Sequence, residues 1–148
     1  MWGEITGETI KSAIAEKLRD NFLTSNPNIK IYKEKIVQKV STPCFFIWTM
    51  DVDQEKLMLN NYNRSYQMNV RYHIDNPSVN NVYEQLCAMG NTILEVLERI
   101  NVPIVTDGTS KETRPVIGKQ MSFKINEGVL QLYVTYTIKA KTPLPDVP

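Results

Sequence analysis

His73 is the single histidine of this chain, and its two cysteines are Cys44 and Cys87. An imidazole that activates a nucleophile needs a serine or cysteine set against it, and no spacing here nominates that partner. A zinc site needs clustered nitrogen or sulfur ligands, which one histidine and two distant cysteines do not supply. Asp51, Asp53 and Glu55 alternate near a strand end and could hold a hard cation, but a solvated acidic edge accounts for them more simply. The scattered glycines form no phosphate-binding loop. Tyr62, Arg64 and Tyr66 come nearest to the interleaved aromatic and basic residues of a single-strand nucleic-acid platform, and the pattern goes no further. These residues nominate no catalytic group, no cofactor and no metal.

The elements that carry them are more legible. In Tyr66–Asp75, Tyr66, Met68, Val70, Tyr72 and Ile74 alternate with Gln67, Asn69, Arg71, His73 and Asp75. Period-two alternation marks a strand with one buried and one polar face. Leu130, Leu132, Val134, Tyr136 and Ile138 repeat it against Gln131, Tyr133, Thr135, Thr137 and Lys139. On this reading His73 is a surface or interface residue. Two helices are available to cover the apolar side. Thr6–Leu23 carries Ile10, Ile14, Leu18 and Phe22 at helical spacing, with Thr6 as cap and Pro27 beyond its end. Val79–Ile100 follows the Asn76-Pro77-Ser78 break and carries the stripe Val82, Leu86, Met89, Ile93, Leu97 and Ile100, joined by Tyr83 and Val96. Gly90 within it either lowers local stability or permits close packing.

A short strand is expected at Ile29–Lys33 and a connection at Lys33–Thr42. Pro43–Asp53 is the most apolar strand, and the run Phe45-Phe46-Ile47-Trp48 suggests burial on both faces, by helices on one and a partner subunit on the other. Gln54–Arg64 reads as a long polar hairpin loop. Leu57, Met58 and Leu59 interrupt it, either as a docking surface or because strand pairing extends that far. Val102–Val105 is a further short strand and Thr106–Pro115 an exposed, mobile loop. Val116–Ile125 and Val129–Lys141 form a hairpin about Asn126-Glu127-Gly128. The fold class is α+β: a mainly antiparallel sheet with two helices packed on one face. Residues 1–148 read as one domain, with a proline-rich, extended tail from about residue 142.

Composition agrees with that and adds little. The chain has 148 residues, 42% hydrophobic, which suffices for one core. Its formal net charge of +1 gives no general pull toward nucleic acid or an anionic membrane. No apolar run reaches the roughly 18 residues of a membrane span, and the N-terminus lacks the pattern of a signal peptide. The cysteines read as buried free thiols, which fits synthesis in a cytoplasm, although one bridge between them stays open.

One resemblance reaches further. Ile31-Tyr32-Lys33-Glu34, Gln38, Pro43-Cys44-Phe45-Phe46-Ile47, Tyr62-Asn63-Arg64-Ser65-Tyr66, Tyr72, Tyr83, Leu97-Glu98, and Glu127-Gly128-Val129-Leu130 with Tyr133 and Tyr136 resemble the small tail terminator proteins of contractile-tailed phages and of phage-derived particles of Gram-positive bacteria. The resemblance runs from the first helix to about Lys141. It implies a virion structural protein, not an enzyme. Such a protein forms a ring, hexameric in expectation, that caps the head-proximal end of the tail tube and ends its polymerisation. Its implied partners are further copies of itself and the tail tube protein, with the sheath protein and the head–tail connector as further contacts. DNA would only pass through the channel, and no membrane is involved. In that setting Leu57, Met58, Leu59, Tyr62, Arg64, Asp107, Lys111 and Arg114 are the candidate assembly interface. Asn69, Arg71, His73, Tyr133 and Thr135 are the candidate channel or subunit-boundary face. A connector or tail completion protein, or a monomeric ligand-binding or regulatory module, fits the same size and fold.

Overall fold

A computed structural model describes residues 5–33, 42–59, 61–74, 81–105 and 111–141. Helix α1 spans Gly7–Leu18. Thr6 caps it reciprocally with Thr9: the Thr9 N–H donates to Thr6 Oγ1 at 3.3 Å and the Thr6 N–H donates to Thr9 Oγ1 at 2.8 Å. The helix widens into a π-turn at Arg19–Leu23. There Phe22 meets the Phe45 ring at 5.7 Å, and Phe45 in turn meets Tyr72 at 4.9 Å.

Strand β1 covers Lys30–Tyr32, β2 Cys44–Lys56 and β3 Asn61–His73. Helix α2 spans Val82–Leu97, followed by β4 at Arg99–Val105, β5 at Lys111–Asn126 and β6 at Val129–Lys141. The six strands lie in the order β1-β2-β3-β6-β5-β4. All pairs are antiparallel except β1 with β2. The sheet is curled, so that α1 packs on both β2 and β4 while α2 packs on β5 and β6.

One core results. Ile10, Ala13, Ile14 and Leu18 of α1 and Leu86, Ile93 and Leu97 of α2 are buried against Phe45, Ile47, Met68, Val70, Leu130, Leu132, Val134 and Tyr136. The even-numbered residues from Tyr66 to Tyr72 of β3 and from Leu130 to Ile138 of β6 therefore face the helix-covered core, as their alternation requires. Burial of each such side chain contributes on the order of 1.5–3 kcal/mol. Gly90 permits a close approach: a Cβ there would sit 2.9 Å from the Phe123 ring of β5.

Several expectations are corrected. The segment Gln54–Arg64 is not a long loop. Strand pairing continues to Lys56 opposite Tyr62, leaving a tight turn in which the Leu57 N–H donates to the Asn61 carbonyl oxygen at 2.9 Å. The second helix begins after Asn81, whose φ of 69° places it in the left-handed region, and it stops at Leu97. Arg99 and Ile100 open β4 instead, where Ile100 is still fully buried. Tyr83 is 67% exposed rather than part of the buried stripe. Lys111–Pro115 belongs to β5, paired with Asn101–Val105 of β4, so the expected loop is shorter. The final hairpin turns through Glu127 and Gly128 alone, with φ of 52° and 76°. Gln38, Asn76-Pro77-Ser78, Asp107 and the proline-rich tail lie outside the described residues.

Candidate assembly surface

The β2–β3 hairpin is longer than the core needs. Helix-facing burial in β3 begins at Tyr66, and Val52–Lys56 and Asn61–Ser65 run on beyond it as an arm. Thr137–Lys141 of β6 makes the third strand of this arm, opposite Ser65–Asn61. Strand β1 pairs only with Cys44–Phe46. Beyond Phe46, the outer edge of β2 has no strand partner among the described residues, which leaves a row of backbone N–H and C=O groups facing out.

At the arm's tip, Leu57, Met58 and Leu59 are 44%, 74% and 73% exposed. Leu59 also holds a φ of 54°. A bulky side chain in the left-handed region costs roughly 1–2 kcal/mol, and here that cost keeps an apolar residue in water. Arg64 is fixed by its cross-strand partner: its Nε and Nη2 donate to Gln54 Oε1 at 2.9 and 2.7 Å. Tyr62 is half-buried opposite Lys56 and Ala140. Lys111 and Arg114 are carried on the β4–β5 ladder, apart from the arm. The structure therefore brings five of the eight proposed interface residues together.

The second group is contiguous. Asn69 stands opposite Tyr133 and Trp48, Arg71 opposite Gln131 and Phe46, and His73 opposite Val129 and Cys44. All lie on the sheet face away from the helices. Thr135 lies one row further, opposite Gln67 and Lys119. The face is braced internally. The Arg71 guanidinium sits 4.5 Å from the Trp48 ring centroid, and its Nε donates to Asn69 Oδ1 at 3.2 Å. Asn69 is 1% exposed, and its Nδ2 donates to the Leu132 carbonyl oxygen at 2.9 Å. It thus organises the face from beneath rather than forming its surface. Tyr133 donates to Gln131 Oε1 at 2.9 Å, and Lys124 Nζ lies 5.7 Å from the Tyr133 ring.

His73 meets the Phe46 ring edge-on at 5.2 Å, and Phe46 stacks on Tyr32 at 5.2 Å. Burial, and then the Arg71 charge beside it, pull the His73 pKa below its ordinary value. Cys44 is fully buried on this side of β2, and burial pushes its thiol up to about 11. Cys87 is half-buried on α2, and both thiols are free.

Trp48, the last residue of the apolar run, shares this face with Lys119 and Lys124, two lysines that no sequence pattern marked. Lys119 and Lys124 are five apart, which strict alternation would send to opposite faces. An irregularity between Lys119 and Ser122, with Gln120 at φ 52°, restores them to one side. A matching irregularity in β2 falls between Thr49 and Asp51. Between the two opens a shallow hollow lined by Met50, Gln67, Gln120 and Tyr133.

No helix is long and apolar enough to cross a membrane among the described residues. No curated protein matches the chain. The family model described as phage tail terminator protein matches residues 9–147, nearly the whole length. An open-edged arm, an exposed apolar tip and a braced sheet face are surfaces suited to assembly, and the chain belongs to the phage tail terminator protein family, a family of structural phage tail components.

Proposed function

We propose that this protein forms a ring, hexameric in the reading we favour, that caps the head-proximal end of the tail tube, ends tube polymerisation and offers a docking surface to the head–tail connector. In a contractile tail the same ring would also meet the last sheath layer. Within the family assignment, one observation carries the reading: the β2–β3 arm projects past the core and ends in exposed Leu57, Met58 and Leu59, with Leu59 held in an unfavourable backbone conformation. A monomer gains nothing from that arrangement, whereas a docking partner would cover it. The face bearing Arg71, His73, Tyr133 and Thr135 turns toward the channel or a subunit boundary in this reading. Copies related by a rotation that closes make a ring through one repeated heterologous contact. The work asked of these residues is binding, not catalysis.

The test is the tail-length distribution, by electron microscopy, in particles produced without this protein. Tubes well beyond normal length with ragged head-proximal ends are expected. Tails of normal length that fail to join heads would transfer the role to a connector or tail completion protein. Unchanged particles would remove the reading.

A further inference from the structure

The two margins of the sheet carry opposite charge on the same face. Along the open edge of β2, Asp51, Asp53 and Glu55 stand opposite Gln67, Ser65 and Asn63, and all three acids are exposed. On the other margin, Lys119 and Lys124 of β5 are exposed, and so is Lys139 on the far side of the arm, where β6 runs on past the end of its pairing with β5. Among the described residues, the cations on the β2 side, Lys30, Lys33 and Lys56, stand at its two ends, and Glu127 stands at the end of the β5 margin. Among the described residues, no ion pair joins either row to a charge of the opposite sign. Lys11 pairs with Glu8 at 3.1 Å, away from both rows. The acidic row makes one local contact, from the Val52 N–H to Asp51 Oδ1 at 2.9 Å.

Charge decides which contact between copies this geometry permits. Two β2 edges brought together would set acid against acid, so the isologous contact is disfavoured. A head-to-tail contact sets acid against lysine, and it is this kind of contact that closes rings. On β5, pairing with β4 ends at Ile117, so beyond Gly118 that margin also lacks a strand neighbour among the described residues. The open edge of β2 runs from Ile47 in the body of the sheet to Lys56 in the arm, and the open part of β5 lies level with the body, with Lys119 in the same cross-strand row as Asp51. The arm half of the β2 edge, with Asp53 and Glu55, extends past the open part of β5, which suits an arm that overlaps its neighbour.

We propose that the acidic β2 edge of one copy lies along the lysine margin of the next copy. The proposal rests on the ring reading above and names the contact that builds the ring. Charged strand edges that deter random pairing would here select one partner.

Two variants test it: Asp51→Lys/Asp53→Lys/Glu55→Lys, and Lys119→Glu/Lys124→Glu/Lys139→Glu. Each alone sets like charges together at every contact. Coproduced, the two can alternate around a ring with an even number of copies, every contact again complementary. Native mass spectrometry of the purified proteins and tail lengths in particles lacking the wild-type chain are the readouts. Each variant alone is expected to lower ring content and the yield of normal-length tails by about tenfold or more, and coproduction to restore both. A one-sided variant that behaves as wild type overturns the proposal. So does failure of the mixture when circular dichroism shows both chains folded, since the charges would then serve the tube or another partner. Should a reversal unfold the chain, Asp51→Asn/Asp53→Asn/Glu55→Gln replaces it. That variant is expected to weaken the ring at low salt, and an unchanged ring overturns the proposal. Ring mass is read without reference to tail length, so loss of the terminator reading would be recognised separately, by particles that need no copy of the protein.

Discussion

The Tyr136 hydroxyl donates to the Leu97 carbonyl oxygen at 2.6 Å. Leu97 ends α2, where carbonyl groups lose their helical partners. The next one, on Glu98, accepts from the Gly118 N–H at 2.6 Å. Strands β5 and β6 thus cap the helix that covers them. Tyr136→Phe leaves the Leu97 carbonyl buried without that donor and should cost about 1–3 kcal/mol, measured by urea denaturation. A loss below roughly 0.5 kcal/mol would show that the bond adds little to stability.

At the arm's tip, stability and assembly should move apart. Leu59→Asn relieves the left-handed strain and removes exposed apolar surface, so the monomer should gain about 0.5–1 kcal/mol. The same change, and Leu57→Ser/Leu59→Ser, should impair assembly while the chain stays folded. Complementation of particles lacking the protein, followed by electron microscopy, checks the second half. Full complementation would mean that the tip contacts nothing essential.

Arg71 combines the contacts to Trp48 and Asn69 on the outer face. Arg71→Glu should lower stability by only about 0.5–1 kcal/mol, because the contact to Trp48 is partly solvated. Ring formation or DNA passage should fall by much more than that predicts, read as particle yield and infectivity or killing. Normal values for both would place this face away from the channel and from any subunit boundary.

His73 gives a signed pH dependence. Its folded pKa lies below its unfolded value, so on acidification the unfolded chain takes up the proton first. The stability tied to neutral His73 is complete above the unfolded pKa and is lost as pH falls through it toward the folded one. Between about pH 7 and pH 5 the melting temperature of His73→Gln should therefore decline less than that of the wild type. Parallel declines would show that His73 is not the group responsible.

Local periodicity determined much of this protein. Tyr66–Ile74 and Leu130–Ile138 alternate, and their inward and outward residues stand as the alternation requires, because a strand's period of two leaves each side chain no other choice. The α1 stripe, the Thr6 cap and the glycine of the last turn are local in the same sense. The short motifs also sufficed to indicate the family. What remained belongs to contacts distant in sequence. That β3 pairs with β6 along thirteen residues, Asn61 through His73, depends on a partner more than fifty positions away. Pairing of β2 with β3, backed by β6 as a third strand, turns Gln54–Arg64 from a polar loop into an arm, because backbone hydrogen bonds of the ladder form whatever the side chains. Asn69 reads as an outward polar residue from its position alone. The tertiary structure buries it because Arg71 and the Leu132 carbonyl satisfy its amide. Strand order and register likewise decide that Asp51, Asp53 and Glu55 line the β2 edge, that Lys119 and Lys124 lie on β5 across the sheet, and that Lys139 lies two strands from Glu55. Charge is written residue by residue, but the edge on which it falls is set only when the sheet is assembled.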